Sequence, residues 1–215
     1  MTITINRSNI ANVYHGNTRI KRIYKGEVLI FGPKRYSKTQ TFTASGSFVL
    51  PKNLISIKIT LVAGGGASGG WSNDRHGLKT PGVGGQGGKT IHYLSDASSF
   101  SGKTCSFTIG AGGQPGAQDQ WGKFCHFAVS NPGGNSSVPL FGLNATGGRR
   151  GFIDNNPTGD DGQNGVGSGG NQYNGYSADA YPSLGSGGIL NTAAVGSPGI
   201  AGKGGFMTIE YDYWE

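Results

Sequence analysis

The chain has 215 residues, of which 42 are glycine and 9 proline. That is far above ordinary glycine usage yet short of collagen's one residue in three, so a collagen triple helix is excluded. The 10 Phe, 9 Tyr and 3 Trp exclude a flexible Gly/Ser linker and argue for an ordered chain. The formal net charge of +7 belongs to one end: residues 1–40 hold eight of the 18 basic residues and one of the 11 acids, leaving the remainder neutral. Those basic residues alternate with apolar ones and form no run, which argues against nucleic acid as a partner.

The first ten residues, MTITINRSNI, contain no apolar signal core. No stretch reaches the roughly 18 apolar residues of a membrane span. Synthesis in a cytoplasm without membrane insertion is expected. Residues 13–20 and 23–30 echo each other as apolar-Tyr-x-Gly followed by a short apolar strand. This pattern predicts two β-hairpins, turning at His15-Gly16-Asn17 and at Lys25-Gly26-Glu27. A segment of 33 residues is too small to fold alone, so residues 1–33 are expected to dock on something. Tyr14, Ile20, Ile23, Tyr24 and Leu29 are the candidate contacts. Gly32-Pro33 punctuates the chain, and residues 34–39 read as a polar linker.

From residue 40 to the end the pattern is that of one larger domain. Alternating segments predict strands at 41–44, 46–50, 55–62, 89–94, 105–109, 124–129 and 206–211. In the third of these Ile55, Ile57, Ile59 and Leu61 fall on one face. Only residues 95–100 suggest a helix, and at most one turn. Between strands glycine recurs every third position, as in Gly82-Gly85-Gly88, Gly110-Gly113-Gly116, Gly159-Gly162-Gly165 and Gly196-Gly199-Gly202-Gly205. A period of three fits neither α-helix nor strand. It fits polyproline II helices, which can bond to one another only where no Cβ keeps their backbones apart. The expected fold is all-β, a base of strands continued by a bundle of polyglycine helices.

Such a bundle has few side chains with which to recognise anything, so recognition falls to the irregular stretches at 71–80, 117–121, 139–146, 152–158, 171–184 and 189–195. Their rings and polar neighbours resemble binding paratopes. The candidates are Trp71, Asp74, Arg75, His76, Trp121, Arg149, Arg150, Phe152, Tyr173, Tyr176 and Tyr181. Successive loops must alternate between the two ends of the bundle, and the two longest, 71–80 and 171–184, are expected at its free tip.

No nucleophile and base stand together, and no phosphate-binding Gly-x-x-x-x-Gly-Lys-Ser/Thr exists. The reading is non-enzymatic, with no cofactor. Cys105, Cys125, His92 and His126 lack the paired spacing of a closed zinc site. Asp154, Asp160 and Asp161 read as a solvated turn and not as a calcium loop. Repeated Thr or Ala, as a flat ice-binding face needs, is missing.

The run Phe42-Thr43-Ala44-Ser45-Gly46-Ser47-Phe48-Val49-Leu50-Pro51, followed by Ile57-Lys58-Ile59-Thr60-Leu61-Val62-Ala63-Gly64-Gly65-Gly66, resembles the glycine-rich domain of tailed-phage receptor-binding proteins. The closing run from Gly196 to Ile209 fits the same pattern. The whole is similar to the tip adhesins of T-even-like long tail fibres. That resemblance implies a virion protein whose loops bind an outer-membrane protein or surface glycan of a bacterium. It also implies that residues 1–33 dock on another virion protein. The head departs from the T-even attachment domain, which leaves open a structural role in fibre joining, baseplate or capsid decoration.

Overall fold

The computed structural model describes residues 13–15, 18–20, 22–69, 72–74, 77–79, 84–116, 118–121, 124–127, 130–151, 163, 165–173 and 199–215. It is built of strands, with only two single-turn 3-10 helices among the described residues. Two hairpins open the chain: β1 (Val13–His15) with β2 (Thr18–Ile20), and β3 (Ile23–Lys25) with β4 (Val28–Phe31). The second turns at Gly26, whose φ of 59° is the left-handed conformation a tight hairpin asks for. Next come β5 (Arg35–Phe42), β6 (Gly46–Val49) and β7 (Leu54–Val62). Residues 35–39, part of the segment 34–39 expected to be a linker, are in β5. Its polar residues suit an edge strand that pairs on one side with the end of the chain.

The middle of the chain holds β8 (Ser72–Asp74), β9 (Gly77–Lys79), β10 (Lys89–Leu94), β11 (Thr104–Phe107), β12 (Gln118–Trp121) and β13 (Phe124–Phe127). The last strands are β14 (Ser136–Val138), β15 (Leu143–Ala145), β16 (Gly167–Ser168), β17 (Asn171–Tyr173) and β18 (Phe206–Trp214). The helical turn suspected near residues 95–100 is a 3-10 turn at Ser98–Phe100. A second, Pro139–Phe141, begins the stretch read as a recognition loop at 139–146, which instead packs on the base and runs into β15.

The base is an antiparallel sheet in the order β17-β10-β7-β18-β5. Its two central strands, β7 and β18, put Ile57, Ile59, Leu61, Met207 and Ile209 wholly out of water on one face. Burial of each contributes about 1.5–3 kcal/mol. Ile55, of the same parity, is half-buried at the start of its strand. Against this face pack Phe48, Cys105 and Phe107 of the β6–β11 pair and Val138, Leu143 and Ala145 of the β14–β15–β16 sheet. Cys105 is a free, fully buried thiol whose pKa is pushed up to about 11 by burial. The opposite face of the five-stranded sheet is polar towards the head, while Val62 and Phe206 are buried on it where the strands meet the glycine segments. On the polar part the Asp212 carboxylate accepts hydrogen bonds from Arg35, Ser37 and Ser56, and Lys58 pairs with Glu210 at 2.9 Å.

The strands run on into the glycine segments, where the bonding changes character. Segment 63–69, continuing β7, donates its backbone N–H groups in rotation: Ala63 to Gly88, Gly64 to Gly134, Gly65 to Lys203, then Gly66 to Gly85, Ala67 to Asn131 and Ser68 to Ile200. Each neighbour comes round again after three residues, the signature of a threefold helix packed side by side with others. The same segment accepts from Gly148 and Gly151 on one neighbour and Gly113 on another. Five segments thus surround it among the described residues, donor and acceptor directions alternating. The surrounding segments bond to one another as well, Gly133 to Gly148, Gly134 to Ala111, Gly202 to Gly113 and Gly85 to Arg149.

Close approach explains which glycines repeat. Gly199, Gly202 and Gly205 all face the central segment, and a Cβ on Gly202 would lie 2.0 Å from the Gly65 carbonyl oxygen. Gly204, outside that register, would place its Cβ no nearer than 3.9 Å to any neighbouring atom considered. The central segment carries consecutive glycines because neighbours close on it from several sides: a Cβ on Gly64 would meet the Ala111 carbonyl and one on Gly66 the Arg149 carbonyl, both at 2.1 Å.

Candidate functional site

Chain direction fixes the two ends of the molecule. The head enters at the base, where Lys34 and Glu215 exchange backbone hydrogen bonds in both directions and the Arg22 guanidinium lies 3.6 Å over the Trp214 ring. β7 then runs away from that end, and segment 63–69 carries the same direction onward. Nine strand residues at about 3.3 Å and seven glycine-helix residues at about 3.1 Å put Gly69 about 50 Å from the head. The chain leaves the bundle at Gly69, Gly116 and Gly151 and re-enters at Gly84, Ser130, Gln163 and Gly199. Antiparallel bonding to the central segment places the returns at Gly84, Ser130 and Gly199 at this same far end. The connections at 95–103 and 139–142 lie at the base. The described flanks of 70–83, 117–129 and 152–162 lie at the far end, whereas Asn171–Tyr173, the start of the stretch 171–184 expected at the free tip, pair into the base sheet.

Two of those stretches contain a built element. β12 and β13 form one hairpin, β8 and β9 another, and they join through Cys125 and Asn73 into a four-stranded antiparallel sheet ordered β12-β13-β8-β9. Ser72 lies three residues past Gly69 and Phe127 three before Ser130, so the sheet is tethered within about 10 Å of the bundle's end. The antiparallel register puts Asp74, Gly77, Trp121 and Phe124 at the edge of the sheet away from the tethers. Sequence reading took 124–129 as a strand of the base and 71–80 and 117–121 as irregular. Tertiary pairing overrides both, because short polar strands carry no local signal of which partner they join.

Of the sequence candidates, Asp74 and Trp121 come together in this far sheet, Asp74 opposite Gly77 and Trp121 opposite Phe124. Arg149 is exposed and Arg150 half-buried at the top of segment 146–151, where the Arg150 guanidinium reaches the Ser130 carbonyl at 3.5 Å. Tyr173 lies elsewhere: it pairs with Lys89 on an edge strand at the level where base meets bundle. Trp71, Arg75, His76, Phe152, Tyr176 and Tyr181 lie outside the described residues, as do Asp154, Asp160 and Asp161. Asp119, Phe124 and His126 also belong to this sheet, and the local cue is Trp121-Gly122-Lys123-Phe124, a two-residue hairpin signal.

In the head, Tyr14 pairs with Arg19 and Ile20 with Val13, while Tyr24 pairs with Leu29 and Ile23 with Phe31. Ile23 is half-buried. Both expected hairpins are thus present in the backbone. Cys105 and His92 belong to the base, His92 with its ring 5.9 Å from that of Phe141. Cys125 and His126 belong to the far sheet, so Cys105, His92, Cys125 and His126 are split between the two ends. Among the described residues no group of three or more His, Cys, Asp or Glu could hold a metal ion, and no helix is long and apolar enough to cross a membrane.

No curated protein matches the sequence. A family described as a glycine-rich domain matches residues 40–212, the span that contains the base sheet, the bundle and the far sheet. With four-fifths of its length inside that match, the chain belongs to the glycine-rich domain family.

Proposed function

We propose that the protein is a tailed-phage receptor-binding adhesin, carried on the virion at a tail fibre or tail tip. Residues 1–33 dock on another virion protein, and the far end grips an outer-membrane protein or surface glycan of a bacterium. One observation supports this reading above the others: the head and the aromatic, polar connections leave opposite ends of a rod about 50 Å long. A backbone-bonded bundle is a stiff, chemically inert spacer, which suits a protein that must present a variable surface away from its anchor. The reading is of binding without catalysis or cofactor.

The test is direct binding of the fluorescently labelled full chain to a panel of bacterial strains, read by flow cytometry. Saturable binding to a subset of strains, reduced by Trp121→Ala at unchanged melting temperature, is expected. Binding to no strain, with Trp121→Ala lowering the melting temperature, overturns the proposal in favour of a structural virion protein whose far end only caps the bundle.

A further inference from the structure

We infer that the outer edge of β5 is a docking site for an acidic, extended strand of another virion protein, taken up by β-strand addition; this rests on the adhesin reading above and names the chemistry of its anchor. Backbone direction carries the inference. Lys34 and Glu215 exchange hydrogen bonds in both directions. From there the register is unbroken, with Tyr36 opposite Tyr213, Lys38 opposite Tyr211, Gln40 opposite Ile209 and Phe42 opposite Met207. In an antiparallel ladder the residues that exchange bonds alternate with those that do not. The even-numbered residues therefore bond to β18, and Arg35, Ser37, Thr39 and Thr41 turn their N–H and C=O groups outward. β5 ends the order of its sheet, with no strand of the described residues beyond it, and all four of these residues are exposed. Such a row of open donors and acceptors is a template for one more strand.

Position and charge select the occupant. β5 follows the head hairpins directly, at the base. Residues 1–40 hold eight basic residues against one acid, the whole of the net charge of +7. On the edge itself Arg35 is matched by Asp212, and further in Lys58 is matched by Glu210. Lys34 and Lys38 share the other face by parity, each ammonium 5.5 Å from a tyrosine ring, those of Tyr36 and Tyr213. The acid that acts on Lys38 is the exposed Glu215. A second copy is disfavoured, because a twofold pairing about the middle of β5 sets the two Lys38 side chains opposite or diagonal to each other, and like charges across a ladder destabilise it. The same lysines favour a strand that brings Asp or Glu opposite them. Main-chain bonds then supply affinity, and the alternate side chains supply specificity.

The experiment uses the full chain and three probes: a fluorescent peptide of the length of β5 that alternates valine with glutamate, its lysine counterpart, and virions assembled with the protein. In anisotropy titrations the glutamate peptide should bind and the lysine peptide should not. Thr39→Pro removes an outward N–H and leaves the ladder to β18 whole. It should weaken the glutamate peptide by about tenfold or more at a near-normal melting temperature. Lys38→Pro removes an inward N–H and should lower the melting temperature. Lys34→Glu combined with Lys38→Glu should weaken the glutamate peptide by about tenfold. In virions, a photo-crosslinking residue in place of Ser37 should couple the chain to a different virion protein. No binding of the glutamate peptide, equal binding of both peptides, or full affinity in Thr39→Pro overturns the proposal. So does a cross-link formed only between copies of this chain, and so does an unchanged melting temperature in Lys38→Pro, which would reverse the backbone direction. Virions that hold the chain but give no cross-link to another protein overturn the edge assignment alone. Absence of the chain from virions defeats the adhesin reading itself.

Discussion

The base and the bundle reach the same end, a dry interior with satisfied backbone groups, by opposite means. In the base, β7 and β18 bond edge to edge and bury Ile57, Ile59, Leu61, Met207 and Ile209 against a second layer, so stability comes from side-chain volume. In the bundle, segment 63–69 bonds to neighbours in three directions in turn, and closeness comes from having no side chain. The difference teaches where each region is vulnerable. The base fails when atoms are removed, and the bundle fails when they are added.

Adding one methyl at Gly202 is expected to have the largest effect. With a Cβ 2.0 Å from the Gly65 carbonyl, backbone must part from backbone, breaking the Gly65-to-Lys203 and Gly202-to-Gly113 bonds. Gly202→Ala should lose more than about 4 kcal/mol or fail to fold, read by urea denaturation. Removing atoms from the base comes next: Ile59→Ala, at a fully buried position, should lose about 2–5 kcal/mol in the same measurement. A mild loss there with a severe one at Gly202 sharpens the contrast; the reverse order breaks it.

The polar face of the base gives a smaller, pH-dependent effect. Hydrogen bonds from Ser37 and Arg35, with a further one from Ser56, hold the Asp212 carboxyl down to about 2. A group depressed in the folded state stabilises above its ordinary pKa of 3.8, and that contribution is lost as pH falls from about 4 towards 2. With the side chain one-fifth exposed, the contribution is about 1–2 kcal/mol. Stability measured from pH 5 to pH 2 should fall more steeply in the wild type than in Asp212→Asn. Parallel curves would show that the carboxylate is not held as the geometry implies. The smallest effect is expected at Gly204, where a Cβ has room: Gly204→Ala should change stability by less than about 0.5 kcal/mol. A large loss there would mean that the glycine register does not mark which side faces the centre.

By itself the sequence determined the kind of structure. Alternation in residues 55–62 and 206–211 is a strand signal that survives any partner, and a period of three in glycine admits no other packed backbone than helices of three residues per turn. The two head hairpins were legible for the same reason, since Gly16-Asn17 and Gly26-Glu27 specify turns locally. Partnership was not legible. Residues 34–39 read as a linker until β18 pairs them, and residues 118–121 and 124–127 read as a loop and a base strand until Asn73 meets Cys125. Nor could the sequence say which segment is central, because a Gly-Gly-Gly run looks the same at the middle of a bundle as at its edge. Asp74 and Trp121 were picked out one by one, as residue types suited to recognition. Their membership of one sheet, at the end of the molecule away from the head, was decided only by tertiary pairing, since contacts between segments about 50 residues apart leave no local trace.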